Sequence, residues 1–159
     1  MISTNMSRGL VVAGCASLMA SALAVAAPAA ADPRVPKDVW IQCTGFSGPN
    51  AEWPHHLSGC TSRSKENGSG QTNRTAPGTE TIQWQAPFES GKSFQLVNIA
   101  NTVVGPSPDC PTDHPAKANV SGNIESPGQY GGASVTAVIC ANATDFVLQP
   151  GALFVIHKD

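Results

Sequence analysis

Two histidines stand side by side at positions 55 and 56, in the stretch EWPHHLSGC, and another follows Asp113 in DCPTDHP. Imidazole nitrogens beside a carboxylate are ordinary ligands of zinc and copper. The same groups serve as acid, base and orienting partner in catalysis. His55, His56, Asp113 and His114 are therefore the candidate metal ligands of the chain and its candidate acid–base cluster. Spacing limits the idea. Neighbouring residues of a strand point to opposite faces, so His55 and His56 reach one ion only with help from a turn, whereas an H-x-H pair would face one way. Pro54 places the pair at a strand start or sheet edge, with one imidazole toward the core and the other toward water.

Other catalytic patterns are weaker. GFSGP at Gly45–Pro49 resembles a nucleophile elbow, but that motif needs G-x-S-x-G on a strand-to-helix turn. Here Gly48 comes one place early and no helical periodicity follows, so the stretch reads as a turn. The carboxylates Glu52, Glu66, Glu80, Glu89, Glu125, Asp109, Asp113 and Asp145 fall mainly in segments read as loops, and no pair is nominated for glycosidase-type chemistry. No catalytic residue and no cofactor is assigned. Of the aromatics Trp40, Trp53, Trp84 and Tyr130, Trp53 beside Pro54 is expected to be the exposed one, and Trp40 and Trp84 to pack in the core.

The elements that would hold these residues are strands. WIQCT alternates Ile41 and Cys43 against Trp40, Gln42 and Thr44, and TIQWQ sets Ile82 and Trp84 against Thr81, Gln83 and Gln85. KANVSGNI puts Ala118, Val120, Gly122 and Ile124 on one face, the mark of a half-buried antiparallel strand. SVTAVIC and ALFVIH are apolar on both faces and belong centrally. SFQLVNIANTVV changes parity after Leu96, which predicts a β-bulge or a bend. PGTE, SPGQYGG and QPGA carry turn residues. The polar segment Ser62–Gly78 reads as a flexible excursion. About eight or nine short strands at regular spacing predict an all-β fold, an antiparallel β-sandwich.

Before this domain comes an export signal. Arg8 precedes the apolar run Gly9–Ala27, and Ala29 and Ala31 occupy the small-residue positions before a cut at Asp32, with a cut after Ala29 as runner-up. Residues 1–31 then form a signal peptide, 32–39 a mobile lead, and 40–159 one domain. A rival reading takes VAGC at Val12–Cys15 as a lipobox, which anchors a lipoprotein through Cys15. In an exported chain the remaining Cys43, Cys60, Cys110 and Cys140 read as two disulfides. Cys43–Cys60 and Cys110–Cys140 are favoured among the three pairings because each brackets a strand-turn-strand stretch. No C-x-x-C pair suggests zinc. The formal charge is −2 and no basic block exists, which excludes nucleic acid as an expected partner. No second apolar run is long enough for a membrane span.

The opening IQCTG…LSGC, the two cysteine pairs and the closing DFVLQPGALFVIH are similar to small exported proteins of high-GC Gram-positive bacteria. The resemblance implies bacterial export and a β-rich fold. It makes the sequons at Asn67, Asn73, Asn119 and Asn142 surface composition rather than glycan sites. It brings no activity and no functional residues. The sequence therefore predicts a secreted, non-enzymatic binding protein acting outside the cell on a protein, a glycan or a small ligand. The alternatives are an enzyme or metal-binding protein built on the His/Asp cluster, and an inhibitor of a secreted hydrolase that uses Ser62–Gly78 or another exposed loop as its contact.

Overall fold

The computed structural model describes residues 39–63, 67–127 and 129–158. The expected signal peptide, and the expected lead up to residue 38, lie outside them; Val39 already begins a strand. Nine strands occur among the described residues: β1 (Val39–Pro49), β2 (His55–Ser62), β3 (Asn67–Ala76), β4 (Thr79–Trp84), β5 (Ser93–Pro106), β6 (Ala116–Ile124), β7 (Ser134–Ala141), β8 (Asp145–Leu148) and β9 (Phe154–His157), with a 3-10 turn at Phe88–Gly91. Among these residues no helix is long and apolar enough to cross a membrane.

The all-β antiparallel class and both disulfides are as the sequence predicts, but the strands form a closed ring rather than two facing sheets. β1 pairs with β2 on one side and with β8 on the other, and β2 through β8 pair in chain order, which shuts the sheet on itself. Alternation along each strand is the same in a sandwich and a barrel. What differs is whether the first strand meets the last, and no local pattern encodes that. The gap between β7 and β1 is filled by β8 and β9 lying one after the other. β8 meets β1 at Ser47–Pro49 and β9 meets it at Val39–Cys43. The turn 149–153, with Gly151 at φ 78°, leaves the wall between them.

Alternation is realised as read. Ile41 and Cys43 are fully buried, Ala118, Val120, Gly122 and Ile124 face inward, and Val135, Ala137 and Ile139 line the inside of β7. The parity change in β5 is a bulge, with the register shifting between Val97 and Ala100 and Asn98 at φ 55°. The excursion expected over Ser62–Gly78 is largely a strand instead. β3 pairs with β2 and β4 over Asn67–Ala76. Its inward positions are Gly68, Gly70 and Thr72, so its core face carries no large apolar residue to announce it. The reason lies opposite: a Cβ on Gly70 would stand 2.7 Å from the Trp84 ring, and one on Gly68 would overlap Phe88. The strand is small because its neighbours are large.

One end of the barrel is plugged. Trp84 lies edge-on to Phe88 at 5.1 Å and to Phe94 at 5.9 Å, and Phe94 packs on Tyr130 at 4.3 Å. All four are buried. Cys43 pairs with Cys60 directly across β1 and β2, and Cys110 ties the loop 107–115 to the end of β7 at Cys140. Closing loops of these lengths stabilises by roughly 3 to 4 kcal/mol each if chain entropy dominates. The other end, ringed by the connections 50–54, 77–78, 107–115 and 142–144, carries its own aromatic group, Phe46 lying 4.9 Å from Phe146 and 5.1 Å from Phe154, and is open at a bowl beside it.

Candidate functional site

The open end holds most of the interior polar groups. His55 is the first residue of β2 and points inward, 7% exposed, while His56 points to solvent, as strand alternation requires. The His55 Nε2 lies 3.1 Å from the Pro49 carbonyl oxygen, which only accepts, so Nε2 carries the proton. Nδ1 is then an acceptor and takes the Thr72 hydroxyl at 3.3 Å. Burial pulls the His55 pKa below its ordinary value, against the opposing pull of Glu80, and this agrees with the neutral ring. The ring stands edge-on to Phe146 at 4.9 Å between centroids.

Glu80 opens β4 on the same inward face as Ile82 and Trp84, and is 8% exposed. Its Oε2 lies 3.8 Å from His55 Nδ1, too far for a hydrogen bond, and among the described residues no donor reaches the carboxylate. Below it lies an apolar chamber of about 70 Å³ walled by Phe46, Leu96, Val120, Ile139, Phe146 and Phe154. Above it opens a bowl of about 180 Å³ bounded by Asn50, Trp53, Arg74, Ile99 and Asn101. His55 and Glu80 border both spaces. Trp53 is half-buried rather than exposed. The Arg74 guanidinium lies 5.1 Å over its ring, and its Nε1–H is buried without an acceptor.

Asp113 and His114 lie on the rim loop 107–115. His114 Nε2 donates to Asp145 at 2.9 Å and Nδ1 faces Asp113 at 3.2 Å. Paired first with Asp113 and also with Asp145, the His114 pKa rises, and the same pairing lowers that of Asp113. Asn142 knits this rim further. Its Oδ1 accepts from the Thr144 and Asp145 amides, and its Nδ2 donates to the Asp113 carbonyl. Asn50 in turn donates to the Asn142 carbonyl at 2.8 Å. The sequon at Asn142 is thus a side-chain-closed turn.

The candidate residues therefore divide. His55 lines the interior, His56 faces away, and both His114 nitrogens are engaged by carboxylates. Among the described residues no three His, Cys, Asp or Glu side chains are arranged to hold a metal ion. The His55 group also lacks the layout of a nucleophile relay. Thr72 and Glu80 both lie on the Nδ1 side, and Nε2 is spent on a carbonyl. Sequence reasoning missed Glu80, placing it in a loop, and with it Thr72, Arg74 and Asn50. The one available signal was the parity of Glu80 with Ile82 and Trp84. Comparison with protein-family models, curated proteins and solved structures finds no match.

The two histidines give stability opposite pH dependences. His55 has a folded pKa below 6.5, so its contribution is complete above pH 6.5 and is lost as pH falls through the lowered value. His114 has a folded pKa above 6.5, so its contribution is complete below pH 6.5 and is lost as pH rises through the raised value. An NMR titration should find His114 titrating above pH 6.5 and His55 below it. Melting temperature followed against pH should flatten on the alkaline side in His114→Gln, and also on the acid side, where Asp113 loses the partner that lowers its pKa. A single shared midpoint near 6.5 contradicts the assignment.

Proposed function

We propose that the protein is a secreted, non-enzymatic binding protein that takes a small amphipathic molecule through the open end of its barrel. The ligand's apolar part fills the chamber and a hydrogen-bond donor on it meets Glu80. The observation that carries this reading is the Glu80 carboxylate, which borders both chamber and bowl from the inward face of β4 and accepts no hydrogen bond among the described residues. An apolar pocket with a few convergent polar groups is the ordinary form of a ligand site. Small closed barrels commonly hold ligands in this way.

Export is supported by the signal pattern over residues 1–31 and by two disulfides, which persist in oxidising compartments. The inhibitor alternative would make its contact through another exposed loop, because Asn67–Ala76 is a strand.

The test uses 2-methylpropan-1-ol, a branched alkyl group bearing one donor. In methyl NMR its addition is expected to shift Leu96, Val120 and Ile139 together, with Trp53 fluorescence changing over the same range. Shifts confined to outward-facing residues, or none at millimolar concentration, overturn the reading.

A further inference from the structure

Building on that ligand site, we propose that the molecule it takes is a free α-amino acid with a branched side chain of three or four carbons. The interior offers three levels in order of depth, and their chemistries differ.

The deepest level is the chamber, walled by aromatic and branched aliphatic side chains. Its volume of about 70 Å³ is near half the roughly 150 Å³ of a protein cavity that accepts benzene. An isopropyl or isobutyl group fits; a phenyl ring does not.

The middle level is an acceptor without a donor. Glu80 faces the space where a group attached to that alkyl chain would sit, with His55 Nδ1 and the Thr72 hydroxyl beside it. An ammonium supplies up to three donors from one atom and matches a carboxylate in charge.

The outer level reverses the polarity. Arg74 and Glu80 are register partners across β3 and β4 and so point to the same side of the wall. Yet Arg74 lies over Trp53 at the rim, and among the described residues its guanidinium makes no ion pair. The Arg74 guanidinium therefore stands at the rim for an anion, and the Glu80 carboxylate on the same bowl stands ready for a cation. A molecule carrying an ammonium and a carboxylate on the same carbon, with an alkyl group beneath, satisfies all three at once. The Arg74 guanidinium suits a carboxylate through paired N–H donors.

The experiment is calorimetric titration of the purified, oxidised protein with L-valine, isobutylamine, 3-methylbutanoate, L-valinamide, L-phenylalanine and 2-methylpropan-1-ol. L-Valine is expected to bind at least tenfold more tightly than isobutylamine or L-valinamide, which lack the carboxylate, and than 3-methylbutanoate, which lacks the ammonium; L-phenylalanine is expected not to bind. Arg74→Gln should remove the advantage of valine over isobutylamine. Glu80→Gln should weaken both amines and spare the alcohol.

Equal binding of valine and isobutylamine overturns the amino-acid assignment, and so does alcohol binding with no valine binding; both leave the ligand site standing. Valinamide binding as tightly as valine also overturns it, pointing to a peptide N-terminus. Failure of every compound, the alcohol included, overturns the site itself.

Discussion

Gly68→Ala is expected to destabilise the protein by about 3 kcal/mol, the upper part of the range for overpacking a well-filled core. A Cβ at this position would occupy the space of the Phe88 ring, contacting its Cγ, Cβ and Cδ2. Phe88 has nowhere to go. It is fully buried, held by the 3-10 turn Phe88–Gly91, and backed at 5.1 Å by Trp84, itself 1% exposed. For a domain of this size the melting temperature should fall by roughly 10 °C. Chemical denaturation of Gly68→Ala, Phe88→Ala and the double variant checks the cause. The double variant should be more stable than the sum of the singles requires, since truncation removes Cγ and Cδ2, two of the three atoms the new methyl would meet. Additive losses would show that the two residues are not competing for one space.

Glu80→Met should act on binding far more than on folding. The Glu80 side chain keeps some access to solvent and makes no hydrogen bond among the described residues, so its replacement is expected to change folding stability by less than about 1 kcal/mol. The same change deletes the acceptor at the junction of chamber and bowl, and amine binding should weaken at least thirtyfold, equivalent to about 2 kcal/mol. His55 provides an internal check. Glu80 opposes the downward shift of its pKa, so the His55 titration should move lower still in the variant. A large drop in melting temperature on Glu80→Met would instead make the carboxylate a structural group.

What the sequence disclosed follows from which physics is local. The inward faces of β6 and β4 were legible because large apolar residues alternate there with polar ones. The divergence of His55 and His56 followed from strand geometry alone. β3 was missed because its inward face is glycine and threonine, shaped to fit Trp84 and Phe88 from elsewhere in the chain. Glu80 was misplaced for a related reason. Its parity with Ile82 and Trp84 was readable, but a carboxylate on a core-facing position looks like a strand end until a cavity is found beside it. Asp113 and His114 are neighbours in sequence, whereas the Asp145 that completes their arrangement comes from the start of β8, two strands along the wall from β6. Closure into a barrel is the most distant fact of all, resting on β1 meeting β8.

The wall between β7 and β1 is completed by two short pieces with the turn 149–153 standing out between them, beside the outer surface of β6 and β7. This separates the length of the chain from the circumference of the ring. Residues added within Pro150–Ala152 change neither the number of strands nor their stagger, and they emerge from the flank of the barrel, away from its open rim. It is the natural port for a tether or a fluorescent reporter, through which the protein can be fixed to a surface with its interior still free to fill.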